Sequence, residues 1–239
     1  LEFEAHYRAA LDLIENGKND EALNALKLLE SENPGMWDIA QRIAAIEKEM
    51  MISEYLKAGN SAYQKQDWEK VIEAYESALV LNEHLNDTMM KEQLLFAYLN
   101  RIIGMLQSDN TSIEDIELSE QYYRKAVTLI PQNKEFISQR ENLQQISRDL
   151  LEKKYTQLAR ANLADKNQTT ATVNEAVYYL TKALNLNPDD AELQAEFNNA
   201  KSYQVALSSF IDMDWAQAVT NAETVVSANA DFAGGNASA

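Results

Sequence analysis

The sequence predicts an all-helical protein, and three observations support this fold class. Its 239 residues include only six glycines and three prolines, whereas sheet-rich folds need many turn residues. Apolar residues recur at positions i, i+3, i+4 and i+7 along almost the whole chain, which is the spacing of an amphipathic helix. All three prolines, Pro34, Pro131 and Pro188, stand at the same position of a repeated pattern.

The repeated pattern consists of a small residue, a large apolar residue four positions later, a small or apolar residue three positions after that, and proline after five more. Three segments contain the whole pattern, and two others lack only the proline. The five copies are Ala22-Leu26-Leu29-Pro34, Val71-Tyr75-Ala78-Glu83, Ser119-Tyr123-Ala126-Pro131, Ala176-Leu180-Ala183-Pro188 and Ala218-Ala222-Val225-Ala230. Five copies in one register predict an array of similar units, each too small to bury its own apolar face.

A second pattern precedes the copies and predicts the first helix of each unit. It is clearest ahead of Val71, where the spacing is aromatic, apolar, glycine and small: Tyr55, Ala58, Gly59 and Ala62. Together with Trp68, this segment closely resembles the tetratricopeptide repeat, a helix–turn–helix unit of 34 residues. The resemblance implies a right-handed α-solenoid of about five helix pairs with a concave groove. The alternative for the fold is a generic helical bundle.

The resemblance extends over a single array that spans residues 1–239. The expected units cover about 3–34, 36–85, 87–132, 134–189 and 190–230, with 231–239 as a tail or the start of a further repeat. Successive copies lie 49, 48, 57 and 42 residues apart, more than the standard 34. We attribute the excess to two helices of about thirty residues, at 36–66 and 136–163, and to two polar loops, at 108–115 and 165–174.

The charge of the chain bears on its partners. It carries 38 acidic and 21 basic side chains, a net charge of −17. Phosphate backbones repel such a surface, so nucleic-acid binding is disfavoured. Since the chain contains no cysteine, disulfides, thiolate metal sites and cysteine nucleophiles are excluded.

The apolar stretches are short, and Leu94–Leu99 is among the longest, so we expect no membrane insertion within this segment. No secretion signal is visible, and we favour a cytoplasmic location over an extracytoplasmic one. The chain starts with Leu1 and stops where a further first helix is expected. We therefore expect one section of a longer protein.

Residues able to carry catalysis are too scattered to predict an enzyme. The two histidines, His6 and His84, lie far apart and outside any HExxH arrangement, so a two-histidine metal site on one helix is excluded. The glycines form no phosphate-binding loop. Asp212-Met213-Asp214 lacks the glycine and the distal glutamate of a calcium loop, so we interpret it as a turn before Trp215. We predict no catalytic residue, cofactor or metal site.

The resemblance also implies where a partner binds, because certain first-helix positions of the family face the concave groove. Carried onto this sequence, these positions mix tyrosine, amide and basic groups, and they include Lys57, Gln64, Lys153, Gln157 and Phe210. The expected anchors among them are Asn60, Tyr63, Tyr98, Arg101 and Arg160. Tyrosine and arginine often carry much of the binding energy at interfaces. Family members that hold a C-terminal carboxylate use a lysine where this chain has Leu56, so a clamp of that kind is not expected.

Two functions remain open at this point. The first is a non-catalytic interaction module that binds a peptide or protein segment in its groove. The second is an architectural spacer or assembly section of a larger protein, without a groove ligand and with self-association through the ends of the array. Exposed aromatics and unpaired basic groups in the groove favour the first function. A groove filled by the chain's own helices favours the second.

Overall fold

A computed structural model describes residues 2–108, 110–129, 134–165, 168–229 and 232. Within these ranges the chain forms ten α-helices and no β-strand. In chain order the helices are α1 (Glu2–Glu15), α2 (Asn19–Glu32), α3 (Ile39–Gln64), α4 (Trp68–Leu81), α5 (Thr88–Leu106), α6 (Ile113–Thr128), α7 (Lys134–Ala164), α8 (Thr170–Leu186), α9 (Ala191–Ile211) and α10 (Trp215–Ala228). The predicted all-helical class is confirmed.

Each expected repeat range contains two helices, from α1 and α2 in the first to α9 and α10 in the last. The two long helices are also confirmed, since α3 has 26 residues and α7 has 31. The helices divide into two compact units, and the division falls inside α5. The first unit contains α1 to α4 and α5 as far as Tyr98, and the second contains α5 from Leu99 onward and α6 to α10.

The turns of three helix pairs share one backbone conformation. Gly17, Gln66 and Met213 have positive φ angles of 72°, 56° and 63°, and each lies five residues before a copy of the repeated pattern. In each turn, the N–H of this residue donates to the carbonyl three residues back, and the next N–H donates to the carbonyl five residues back. These bonds satisfy carbonyls at the end of the first helix. The turn predicted at Asp212-Met213-Asp214 is therefore confirmed.

Four second helices end in the same way. Each is followed by an asparagine whose N–H donates to the carbonyl four residues earlier: Asn33, Asn82, Asn187 and Asn229. Proline follows two of them, where it disfavours a helical conformation of the preceding residue. The other two reach a similar extended conformation without proline, so proline is not needed for this helix end.

Side-chain caps fix where several helices begin. The carboxylates of Asp67, Asp190 and Asp214 accept hydrogen bonds from the third backbone N–H of α4, α9 and α10. Ser112 caps α6 in the same manner, and Thr169 forms a capping box at α8. Such caps stabilise a helix by about 1 kcal/mol each. Because Ser112 and Thr169 begin helices, the expected loops at 108–115 and 165–174 are shorter than predicted.

The core of the first unit is built from the repeat positions. Ala10, Ala22 and Leu26 are fully buried, in a cluster that also includes Leu29, Ile39 and Ile46. In the next pair, the ring of Tyr75 lies against Gly59, so close that an added methyl group would overlap the ring. Small residues at these positions let two helices approach closely, and large ones fill the remaining space.

The second unit buries the same positions. On α8, Ala176, Leu180 and Ala183 are fully buried, and α8 packs against both α7 and α9. On α7, Leu151 and Ala159 are fully buried, and Tyr155 and Leu163 are buried as well. Burial of a leucine side chain such as Leu180 or Leu151 stabilises a fold by about 1.5–3 kcal/mol.

Candidate protein-binding surfaces

Asn60 and Tyr63 lie on α3 in the first unit. The hydroxyl of Tyr75 lies 3.2 Å from the Asn60 Oδ1 and within hydrogen-bond distance of the Gln93 Oε1 on α5, so the two oxygens share its one proton. Burial, followed by the nearby charge of Asp87, raises the pKa of Tyr75 to about 12, so its hydroxyl stays protonated. The Asn60 side chain therefore helps to hold the hydroxyl of the buried Tyr75 in place.

Tyr63 is half-buried and meets Trp68, the first residue of α4, edge to face at 5.7 Å. Aromatic pairs in this arrangement stabilise by about 0.5–1.5 kcal/mol beyond their burial. Burial and the nearby Glu92 raise the pKa of Tyr63. Part of the Tyr63 ring therefore packs against Trp68 within the helix pair, and the rest of the ring is exposed.

Tyr98, on α5, is only 3% exposed. Its hydroxyl donates to Glu76 Oε1 of α4 at 2.5 Å. Glu76 in turn lines an open cleft along α3 and α4 with Tyr55, Glu73, Ser77, Val80 and Leu81. In this conformation Tyr98 stabilises the first unit, and its aromatic ring is not presented at the surface.

The two predicted arginines lie in the second unit. Arg160 of α7 is exposed and donates to both carboxylate oxygens of Glu196 on α9, with a shortest distance of 2.7 Å. The hydrogen bonds to Glu196 raise the pKa of Arg160 above its usual value. Arg101 is half-buried on α5. The Glu196 side chain is only 16% exposed, so this bidentate pair is part of the contact between α7 and α9.

A polar cluster in the second unit was missed by the sequence analysis. Glu120 of α6, whose side chain is 14% exposed, accepts hydrogen bonds from three residues. Tyr155 of α7 donates at 2.6 Å, Lys182 of α8 at 2.7 and 3.0 Å, and Arg124 at 2.5 Å. The cluster therefore joins three helices through one carboxylate.

Electrostatics hold this carboxylate in its charged form. Burial alone would raise the pKa of Glu120, but the hydrogen bonds from Lys182, Tyr155 and Arg124 outweigh it and lower the pKa. The Lys182 ammonium also lies 5.4 Å above the ring centroid of Tyr178, a cation–π contact. A sequence signal for the cluster exists, because Glu120 stands at the repeat position that is apolar in the other copies, such as Ile72 and Val177.

Large apolar side chains are exposed around the turn between α9 and α10. We call Phe210, Ile211, Met213, Trp215 and Val219 the α9–α10 apolar surface, and each of them is between 54% and 72% exposed. Phe210 and Trp215 meet edge to face at 5.4 Å, in the arrangement that Tyr63 and Trp68 adopt in the second pair. The sequence analysis assigned only Phe210 to a surface, as a groove position.

Comparison of the chain with protein-family models, with curated proteins and with solved structures gave no match. In the described ranges, no helix combines the length and the apolar character that crossing a bilayer requires. In the same ranges, histidine, aspartate and glutamate side chains do not gather in threes that could hold a metal ion.

Proposed function

We propose that the chain is a non-catalytic protein-interaction module of the tetratricopeptide type. In this proposal the helix pairs stack into a right-handed α-solenoid and bind a peptide or protein segment along their first helices. The observation that carries the proposal is the shared turn at Gly17, Gln66 and Met213, with the same pair of hydrogen bonds in each. Repetition of a local structure at one register is typical of repeat arrays, and such arrays serve mainly as binding surfaces.

The accessible side chains refine the set of proposed contacts. On α3, Lys57 and Gln64 are exposed and stand at expected groove positions beside the half-buried Asn60 and Tyr63. On α7, Lys153 and Gln157 are exposed next to Arg160. These amide and cationic groups suit an acidic or polar segment of a partner, since they offer several hydrogen-bond donors.

A second candidate function is an architectural section of a larger assembly. Two observations favour it: Tyr98 is buried and bonded to Glu76, and Arg160 is paired with Glu196. Exposed apolar side chains also occur in both units, at Trp37 in the first and at the α9–α10 apolar surface in the second. Such a section uses its polar groups internally and buries apolar surface against its neighbours.

Selection of ligands from a displayed peptide library against the purified chain tests the two functions. For selected peptides, hydrogen exchange should show protection along α3 or α7, and Lys57→Ala should weaken binding about five- to tenfold. The matched control is Lys48→Ala, because Lys48 is exposed on the same helix and nine residues away, on the opposite face. Failure to select any peptide, or equal loss with both variants, would support the architectural function instead.

A further inference from the structure

The α9–α10 apolar surface is the densest group of exposed apolar side chains in the part of the chain that the structure describes. Its five members lie within ten consecutive residues, and Met213 is 72% exposed. Contiguous apolar surface is uncommon on soluble proteins and marks sites of protein association when polar groups surround it.

Equivalent repeat positions elsewhere in the chain are covered. Val219 is 54% exposed, whereas Ile72 and Val177, at the same position of α4 and α8, are 4% and 7% exposed. Trp215 is 56% exposed, whereas Val173, its counterpart on α8, is fully buried. The apolar residues of α10 thus match positions that the other second helices bury or partly bury.

In the other pairs, the second helix packs against the first helix of the next pair. Helix α3 packs on α2, and α9 packs on α8. Tyr75 of α4 is likewise bonded to Gln93 of α5. The outer face of α10 therefore suits another amphipathic helix. Such a helix would be about as long as α10, which has 14 residues, or longer.

The charge around the surface restricts which helix it accepts. From residue 202 to residue 229 the sequence contains three acidic residues, Asp212, Asp214 and Glu223, and no lysine, arginine or histidine. The whole chain carries a net charge of −17, so pairing of two copies through this surface brings like charges together. A helix flanked by basic residues is complementary to it.

We propose that the α9–α10 apolar surface docks an amphipathic helix of a partner protein, whose apolar stripe is flanked by lysine and arginine. The inference rests on the exposure of Trp215 and Val219 and on the acidic surroundings. It does not depend on a ligand in the first-helix groove. Aromatic anchors such as Phe210 and Trp215 fill the role that such residues have at binding interfaces.

The test uses the full chain and a fluorescently labelled peptide of about 18 residues with leucines at helical spacing and lysines at the other positions. Anisotropy titrations at 0.15 M salt should show binding, and circular dichroism should show helix formation in the bound peptide. Val219→Glu should weaken binding about tenfold or more, because it places a charge in the apolar contact.

The control variant is Val80→Glu, since Val80 is 86% exposed on α4 and carries the same substitution outside the surface. It should leave affinity within about twofold of the original. The control peptides are a scrambled sequence with the same composition and a counterpart with glutamate in place of lysine, and both should bind at least about tenfold more weakly.

Four results would overturn the proposal: no binding, equal binding of either control peptide, equal loss with both variants, or a dimer of the chain alone that Val219→Glu dissociates. The last result, measured by sedimentation equilibrium, would assign the surface to a second copy.

Discussion

Lys182 of α8 reaches Glu120 of α6 at 2.7 Å, in a pair whose side chains are only 20% and 14% exposed. Glu120 stands at a repeat position that is apolar in the other four copies. The chain therefore has one end of a buried ion pair where the other copies have an apolar side chain. Breaking one partner of such a pair is costly, whereas replacing both by apolar residues is often neutral.

We accordingly expect Lys182→Met alone and Glu120→Leu alone to lower the free energy of unfolding by about 2 kcal/mol each. The double variant should lose less than the two single losses combined, since the buried ammonium and carboxylate are then removed together and only the bonds to Tyr155 and Arg124 are lost. Urea unfolding followed by circular dichroism measures all three. Additive losses in the double variant would contradict this account of the pair.

The lowered pKa of Glu120 predicts a pH dependence. A carboxylate whose pKa is lower in the folded than in the unfolded state stabilises the fold above its unfolded pKa, and this stability is lost as the pH falls through the folded pKa. The contribution is therefore complete near pH 7 and declines below about pH 4.3, the ordinary glutamate value.

The measurement is the free energy of unfolding between pH 7 and pH 3, for the original protein and for Glu120→Gln. Glutamine keeps the shape but does not titrate, so the difference between the two proteins should shrink as the pH falls. Glu117→Gln is the matched control, because Glu117 is an exposed residue of the same helix. A constant difference across the range would show that Glu120 contributes by packing and not by charge.

Gln66 and Met213 hold the same left-handed conformation as Gly17, which suits glycine far better than other residues. Gln66→Gly and Met213→Gly should each raise stability by up to about 1 kcal/mol, since the strain of a side chain at positive φ is removed. Gly17→Ala should lower it by about 1 kcal/mol. Thermal unfolding of the three variants shows whether each one gains or loses stability as expected. A loss of stability in Met213→Gly would argue against strain at that turn.

The helix pairs could be predicted because their signals are local. The copies around Ala78 and Ala183 fix the second helices, and the glycine at Gly17 marks a turn. The asparagines that end four second helices, such as Asn82 and Asn187, were visible in the sequence but were not used. The repeated pattern was defined by the proline position, one residue after these asparagines, because proline strongly disfavours a continuing helix.

The candidate site was harder to predict, as Tyr98 shows. Its repeat position placed it in a groove, but all residues of the run Leu94–Leu99 are buried. A helix that is apolar on all sides is buried on all sides, so the composition of α5 carried more information than the repeat register. Two of the three partners of Glu120 lie on other helices, and no local pattern places Tyr155 and Lys182 beside it.

Two helical glycines give the sharpest test of the packing between α3 and α4. A Cβ at Gly59 would overlap the ring of Tyr75, whereas a Cβ at Gly104, in α5, would have no atom within 4 Å. Gly59→Ala should therefore lower the free energy of unfolding by about 1–3 kcal/mol, because the ring is fully buried and cannot move without cost. Gly104→Ala should raise it by about 0.5–1 kcal/mol through helix propensity.

Urea unfolding followed by circular dichroism measures both glycine variants, and each serves as the control for the other. The double variant Gly59→Ala with Tyr75→Leu extends the experiment, since the smaller side chain at position 75 makes room for the new methyl group. The double variant should then lose less than the two single losses combined, because the variants share one contact. Strictly additive losses would mean that the methyl group and the ring do not meet, and that α3 and α4 are farther apart than the structure places them.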